Sequence, residues 1–163
     1  MKEEYEKYIE AAAEQSDEIA KSFNRLKKRR PKNLDDVFHR LHDESFENID
    51  CLSCANCCKT TSPIFRDVDI KRISKKLKMG VASFEKMYLK VDEDDDWVLK
   101  QSPCAFLGAD NFCSIYDFRP LACREFPHTD RKRMSQVLDL TMENTKVCPA
   151  VAEISIEVVK EFS

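Results

Sequence analysis

The sequence predicts a mainly α-helical fold with a small β-hairpin, in which an irregular cysteine-rich domain follows a long N-terminal helix. Apolar residues recur at helical spacing in residues 3–29 and again from Asn33 onward. The clearest strand and turn pattern lies near residues 97–116. The 163 residues include eight cysteines but only two glycines, Gly80 and Gly108. A P-loop and a dinucleotide-binding fingerprint each need several spaced glycines, so the sequence excludes both.

The first predicted helix, residues 3–29, carries an apolar stripe with alternating steps of four and three residues. The stripe consists of Tyr5, Ile9, Ala12, Ser16, Ile19, Phe23 and Leu26. We favour packing of this stripe on the core of its own domain, the usual role of such a stripe. Three heptads also suffice for a coiled coil, so self-association or a protein partner at residues 3–29 stays open. The four cations at residues 27–30 suit the C-terminal end of a helix, and we favour this interpretation over a nucleic-acid-binding patch. Pro31 ends the helix.

Shorter elements are predicted in the rest of the chain. Helices are expected from Asn33 to Ser45, from Asp67 to about Lys78 with Gly80 as its cap, near residues 83–89, and from Pro149 onward. Strands are expected at residues 97–100, in a hairpin of residues 104–107 and 112–116, and at residues 135–140. We divide the chain into an N-terminal helical segment, residues 1–48, and a cysteine-cluster metal-binding domain, residues 49–163.

The net charge and the distribution of apolar residues limit the cellular environments and the binding partners that the sequence allows. The net charge of −3 argues against nucleic acid as a partner. The sequence contains no run of 18 apolar residues, so no membrane span is expected. Residues 1–6 lack signal-peptide character, and we therefore expect a cytoplasmic protein. Thiols stay reduced in that compartment, which favours metal binding over disulfides for the cysteines.

A compact C-x2-C-x2-C-C cluster carries the strongest chemical signal in the sequence. It comprises Cys51, Cys54, Cys57 and Cys58, and it is followed by Cys104, Cys113, Cys123 and Cys148. Thiols two residues apart can turn toward one centre, a spacing that zinc and iron–sulfur sites share. All eight cysteines are therefore candidate metal ligands, and the expected cofactor is zinc or an iron–sulfur cluster. Buried inert thiols, a disulfide framework and a thioredoxin-like redox pair are less favoured.

Two ligation patterns remain open. In the first pattern, Cys51, Cys54 and Cys57 join Cys148, which precedes a proline, as in the cubane clusters of bacterial ferredoxins. Cys58 departs from that motif. In the second pattern, the thiols form closed zinc sites of four cysteines each, although the later cysteines lack a second C-x2-C knuckle. Side chains of the adjacent Cys57 and Cys58 tend to diverge, so the two residues can serve different centres.

A longer motif string carries a family resemblance. It runs from the C-x2-C-x2-C-C cluster through Ser102-Pro-Cys-Ala-Phe-Leu107, then Cys113-Ser-Ile-Tyr-Asp-Phe-Arg-Pro-x2-Cys-Arg-x-Phe-Pro127, to Cys148-Pro149. Over about residues 50–150 the sequence resembles the YkgJ-type CxxCxxCC cysteine-cluster family, regarded as a zinc- or iron-chelating domain. The resemblance implies that all eight cysteines bind metal. It places Arg119, Pro120 and Arg124 in the surrounding motif.

The resemblance also bears on which functions are considered for this protein. It implies a metal-binding protein whose metal is structural or redox-active. A related domain occurs in flagellin lysine N-methylases, where an iron–sulfur cluster accompanies methyl transfer, so an iron–sulfur-dependent enzyme is the first alternative. This sequence shows no methyl-donor site and assigns no catalytic residue. The second alternative is an interaction scaffold that uses the heptad helix of residues 3–29.

Overall fold

A computed structural model describes residues 3–163, which form two compact units. Unit 1 comprises residues 3–54 and 127–163, and unit 2 comprises residues 55–126. The chain therefore begins unit 1, builds all of unit 2, and then returns to complete unit 1. The division into a helical segment, residues 1–48, and a cysteine-cluster domain, residues 49–163, stays a prediction.

The described residues form a mainly α-helical structure with one small hairpin, which confirms the predicted fold class. In chain order, the helices are α1 (Glu3–Glu14), α2 (Ser16–Arg29), α3 (Leu34–Asn48), α4 (Cys51–Cys54), α5 (Asn56–Thr60), α6 (Asp67–Lys76), α7 (Val81–Tyr88), α8 (Leu121–Glu125), α9 (Leu138–Asn144) and α10 (Pro149–Glu161). The strands are β1 (Leu89–Val91) and β2 (Trp97–Leu99), and short 3₁₀ helices lie at Tyr116–Phe118 and Met134–Gln136. None of the helices in residues 3–163 is both long and apolar enough to cross a bilayer.

Helix α10 is the centre of unit 1, where it contacts α1, α2, α3 and α9. Pro149 occupies its first turn, as the sequence predicted. An N–H at this position has no partner within the helix, so the proline removes no hydrogen bond. The mid-helix residues Ile154 and Val158 are almost fully buried, in the same apolar cluster as Phe38 of α3 and Phe23 of α2. Burial of such side chains contributes about 1.5–3 kcal/mol each, so this cluster is the main stabilising feature of unit 1.

The predicted N-terminal helix is present but interrupted. A single helix over residues 3–29 is wrong, because α1 ends at Glu14 and α2 begins at Ser16. Between them, the side-chain amide of Gln15 donates a hydrogen bond to the Ala11 carbonyl oxygen at 3.2 Å. The predicted stripe is nevertheless buried on unit 1 at five of its seven positions, namely Tyr5, Ala12, Ile19, Phe23 and Leu26. The stripe therefore packs on the chain's own core, as the favoured interpretation expected.

In unit 2, the hairpin differs in position from the predicted one. Strand β1 pairs antiparallel with β2, with Leu89 opposite Leu99 and Val91 opposite Trp97. The predicted strand near residues 97–100 is confirmed, but its partner precedes it. Residues 104–116 form turns with a single bridge between Leu107 and Cys113. Three-residue strands are too short for their alternation to be visible in the sequence.

Two further local predictions are wrong. Residues 135–140 were expected to form a strand, but they enter a 3₁₀ turn and then α9. Gly80 was expected to cap α6, but it stands immediately before α7 with an extended backbone. Lys78 instead takes the left-handed conformation, with φ of 55°, at the end of α6.

A buried carboxylate organises the start of α6. Asp69 is fully buried, and it accepts hydrogen bonds from the backbone N–H and Nε of Arg66 at 3.3 and 3.0 Å. Arg72 donates a further hydrogen bond to it at 2.8 Å. Burial alone would raise the pKa of Asp69, but these hydrogen bonds outweigh burial and lower it below its usual value. The carboxylate is therefore charged and fully paired in the folded protein.

We expect Asp69→Ala to lower the free energy of unfolding of unit 2 by about 2–4 kcal/mol, because it removes three hydrogen bonds to a buried charge. Urea denaturation followed by circular dichroism measures this change. Asp67→Ala is the matched control, since Asp67 is an exposed carboxylate on the same first turn. We expect the control to change stability by about 0.5 kcal/mol or less. Equal effects of the two substitutions would contradict a stabilising role for the buried carboxylate.

Candidate metal centre

The eight predicted metal-ligand cysteines divide between the two units. Cys51, Cys54 and Cys148 belong to unit 1, whereas Cys57, Cys58, Cys104, Cys113 and Cys123 belong to unit 2. None of the eight takes part in a disulfide within residues 3–163. Four thiols of unit 2 influence one another electrostatically, and we call Cys58, Cys104, Cys113 and Cys123 the four-thiol set. All four are partly buried.

The first two members of the four-thiol set are joined through their backbones. The amide of Cys104 donates a hydrogen bond to the carbonyl oxygen of Cys58 at 2.8 Å. This bond ties the loop that follows β2 to the short helix α5. A hydrogen bond with the neighbouring Cys57 thiol is the largest cause that raises the pKa of Cys58, followed by burial. Lys59 opposes this increase.

Turns after Cys104 and Cys113 direct backbone N–H groups toward the sulfur atoms. The amides of Phe106 and Leu107 form hydrogen bonds with the Cys104 thiol, and the amide of Ile115 forms one with the Cys113 thiol. Burial raises the pKa of both thiols, and these amides lower it. N–H groups that point at sulfur stabilise the thiolate, which is the form that binds a metal.

Cys123 lies on the short helix α8 and completes the set. Burial, followed by the nearby thiols of Cys58, Cys104 and Cys113, raises the pKa of its thiol to about 12. The guanidinium of Arg119 lowers the pKa of both Cys123 and Cys113. Cation–π stacking on the ring of Tyr116 at 3.8 Å holds this guanidinium, which also donates a hydrogen bond to the Tyr116 carbonyl oxygen at 2.6 Å.

Arg72 braces the segment that carries Arg119. Besides its bond to Asp69, it donates hydrogen bonds to the carbonyl oxygens of Phe118 at 3.3 Å and Arg119 at 2.9 Å. The buried carboxylate of α6 therefore helps to position the turn before α8. Sequence reasoning missed this brace, because Asp69 and Arg72 look like ordinary charges on a helix surface and their contacts are distant in sequence.

The thiols of unit 1 form a smaller group. Cys148 directly precedes α10, and the amides of Ala150 and Val151 form hydrogen bonds with its thiol. Burial, followed by the nearby thiols of Cys51 and Cys54, raises the pKa of Cys148 to about 12. Three of the four cysteines of the ferredoxin-like pattern therefore share unit 1.

Cys51 and Cys54 are positioned by a capped helical turn. The carboxylate of Asp50 accepts hydrogen bonds from the amides of Leu52 and Ser53 at 3.0 and 3.2 Å. These bonds satisfy N–H groups that would otherwise lack partners at the start of α4. The fourth cysteine of the ferredoxin-like pattern, Cys57, is in unit 2, so the complete pattern stays a prediction.

The four-thiol set fits a thiophilic metal in its chemistry. Four sulfur donors match the closed tetrahedral sites that zinc and iron prefer. As they stand, no three His, Cys, Asp or Glu side chains within residues 3–163 are arranged to hold an ion. The raised pKa values of Cys58, Cys104, Cys113 and Cys123 favour the neutral thiol form. A bound cation reverses this preference for the neutral form, because its charge stabilises the thiolates. The ion therefore binds with release of the thiol protons.

These features are typical of a cysteine-rich, metal-chelating class of protein. Residues 50–149 match the CxxCxxCC family, which is described as "Putative zinc- or iron-chelating domain". The matched region covers more than half of the chain, and the protein belongs to this family. No curated protein and no solved structure matches the chain.

Proposed function

We propose that this protein binds zinc through Cys58, Cys104, Cys113 and Cys123, and that the ion holds unit 2 in its folded form. The observation that carries the proposal is the backbone hydrogen bond of 2.8 Å between Cys104 and Cys58, together with the electrostatic interactions of these two thiols with those of Cys113 and Cys123. They come from four separate parts of unit 2, namely α5, the two turns after β2, and α8. A single ion bound by all four would cross-link these parts, as structural zinc does in small domains.

The small apolar core of unit 2 supports a structural role for the metal. Among the described residues, its main buried cluster has eight members, against fourteen in unit 1. Phe84 is central to the smaller cluster, with ring centroids of Phe65 and Phe106 both at 6.2 Å. Domains with small cores commonly need a metal or disulfides for stability. The binding free energy of structural zinc, about 10–16 kcal/mol, would exceed the net stability of most domains of this size.

Charge compensation also supports the proposal. Four thiolates around a divalent cation leave an excess negative charge of about two. Arg119 and Lys59 are both placed to offset this charge, since each lowers the pKa of at least one thiol of the set. A half-buried site with compensated charge binds its ion at a lower desolvation cost than an uncompensated one.

The second candidate is an iron–sulfur protein with redox or methyl-transfer activity. The grouping of Cys51 and Cys54 with Cys148, which Pro149 follows, favours it. An iron–sulfur cluster in such a protein supplies one-electron transfer. The residues of unit 1 would contribute thiolate ligands and the N–H groups of Ala150 and Val151. A substrate pocket beside the thiols would be a further requirement for catalysis.

Metal and acid-labile sulfide analysis of anaerobically purified protein, together with its visible spectrum, tests the proposal. We expect a colourless protein that contains zinc in an integral ratio to the chain and no sulfide. A brown protein with equal amounts of iron and sulfide would contradict the zinc proposal and favour the second candidate. A protein without bound zinc or iron after purification under chelator-free conditions would contradict both.

A further inference from the structure

Eight cationic side chains lie in two short segments of unit 1. We call Lys27, Lys28, Arg29, Arg30, Lys32, Arg131, Lys132 and Arg133 the basic end. The first five residues lie at the C-terminus of α2 and the turn after it, and the last three precede the 3₁₀ helix that leads to α9. All of them are exposed except Lys27, which is half-buried.

Hydrogen bonds hold the two segments side by side. The carboxylate of Asp35, in the first turn of α3, accepts hydrogen bonds from the amides of Arg133 at 2.6 Å and Met134 at 2.8 Å. His39 of the same helix is hydrogen-bonded through Nε2 to the Arg131 carbonyl oxygen at 2.8 Å. The chain enters α3 directly after Lys32, so these bonds place both groups of cations at the same end of unit 1.

Few carboxylates neutralise the basic end. Among the described residues, Lys27 is the one member in an ion pair, with Asp139 at 2.6 Å. Asp35 is occupied by backbone amides, and Asp36 and Asp130 are the other nearby acids in the sequence. Eight cations thus compare with four carboxylates near them, Asp35, Asp36, Asp130 and Asp139, although the whole chain carries a net charge of −3. A contact with an anion depends on this local excess rather than on the net charge.

We propose that the basic end binds the phosphate backbone of a nucleic acid without reading its sequence. Four of the eight cations are arginines, whose planar guanidinium donates two parallel hydrogen bonds to one phosphate. The cations stand on two segments, so they can contact several successive phosphates, which is the source of sequence-independent affinity. This inference goes beyond the metal-binding function and does not depend on it.

The surroundings favour nucleic acid over a lipid surface. Proteins that lie on anionic membranes combine cations with apolar side chains that enter the bilayer. In the described part of unit 1, Leu140 is the one exposed large hydrophobic residue. The basic end also lacks exposed aromatic residues, so base stacking would not add sequence preference.

Fluorescence anisotropy of the full-length, metal-loaded protein with a labelled duplex of about 20 base pairs tests the proposal. With about five phosphate contacts, we expect affinity to fall on the order of 10²–10³-fold between about 50 and 200 mM salt. The triple substitution Lys28→Gln, Arg29→Gln and Lys132→Gln should weaken binding at least about 10-fold and reduce the salt slope by about three. A second duplex of unrelated sequence should bind equally well.

The control is a triple substitution with the same change of charge on unit 2, Lys71→Gln, Lys75→Gln and Lys76→Gln, all exposed on α6. We expect it to leave affinity unchanged. Equal weakening by both triple variants would overturn the proposal, because the effect would then follow net charge. The absence of duplex binding at low salt would also overturn it, as would binding to phosphatidylserine-rich vesicles or polyglutamate but not to the duplex.

Discussion

Replacement of Cys123 by serine is expected to cost the protein one bound metal ion per chain and the folded form of unit 2. A serine hydroxyl is a far poorer zinc ligand than a thiolate, so the substitution leaves three sulfur donors. Most of the binding free energy of about 10–16 kcal/mol for a structural zinc site is then lost. Metal analysis of the purified variant and thermal denaturation followed by circular dichroism measure the two effects.

The control for this substitution is Ala122→Ser, the preceding position on α8. It introduces the same hydroxyl group on the same helix and leaves all eight thiols in place. We expect this variant to keep the metal content and the melting behaviour of the wild type. If Cys123→Ser also kept its full metal content and melting temperature, Cys123 would be removed from the proposed site.

Removal of the metal by a strong chelator is expected to unfold unit 2 and to leave the helices of unit 1 in place. Unit 2 would then rely on its small apolar cluster, whereas α10 keeps its contacts with α1, α2, α3 and α9. Hydrogen exchange of backbone amides resolves the two responses. The amides of Leu99 and Leu107 should lose protection, while the amides of Ile154 and Val158 should keep it.

Restoration of zinc provides the control, because protection in unit 2 should return when the ion is added back under reducing conditions. Chelator at the same concentration together with excess zinc should have no effect. Full protection at Leu99 and Leu107 after complete metal removal would show that unit 2 folds without metal, which would contradict a structural role for the ion.

The helices and the thiol chemistry could be predicted from the sequence because their signals are local. The apolar stripe of residues 3–29 identifies its own buried face, since helical spacing fixes which side chains share a side. The close spacing from Cys51 to Cys58 likewise predicted the metal-chelating family that residues 50–149 match, without any knowledge of the fold. The break at Gln15 escaped prediction, because a glutamine within a helix carries no breaking signal of its own.

The grouping of the thiols could not be predicted, because it depends on contacts between distant segments. Cys57 and Cys58 are adjacent in sequence and their thiols interact, but it is Cys58 that also acts on the distant thiols of Cys104, Cys113 and Cys123. The amide bond from Cys104 to the Cys58 carbonyl brings together positions far apart in the chain. The brace from Asp69 through Arg72 is equally long-range, and it leaves no periodicity or motif in the sequence.

Unit 1 consists of two chain segments separated by unit 2, and this has a consequence for the order in which the units fold during synthesis. Helix α10 leaves the ribosome after every segment that it packs against. The apolar faces of α1, α2 and α3 that contact α10 therefore stay exposed until α10 has been synthesised. Unit 2 is a single continuous stretch, residues 55–126, so it can fold while α10 is still being made, and on the proposed function it would bind its ion at that stage. The supply of metal during translation would therefore determine whether unit 2 is already folded when α10 emerges from the ribosome.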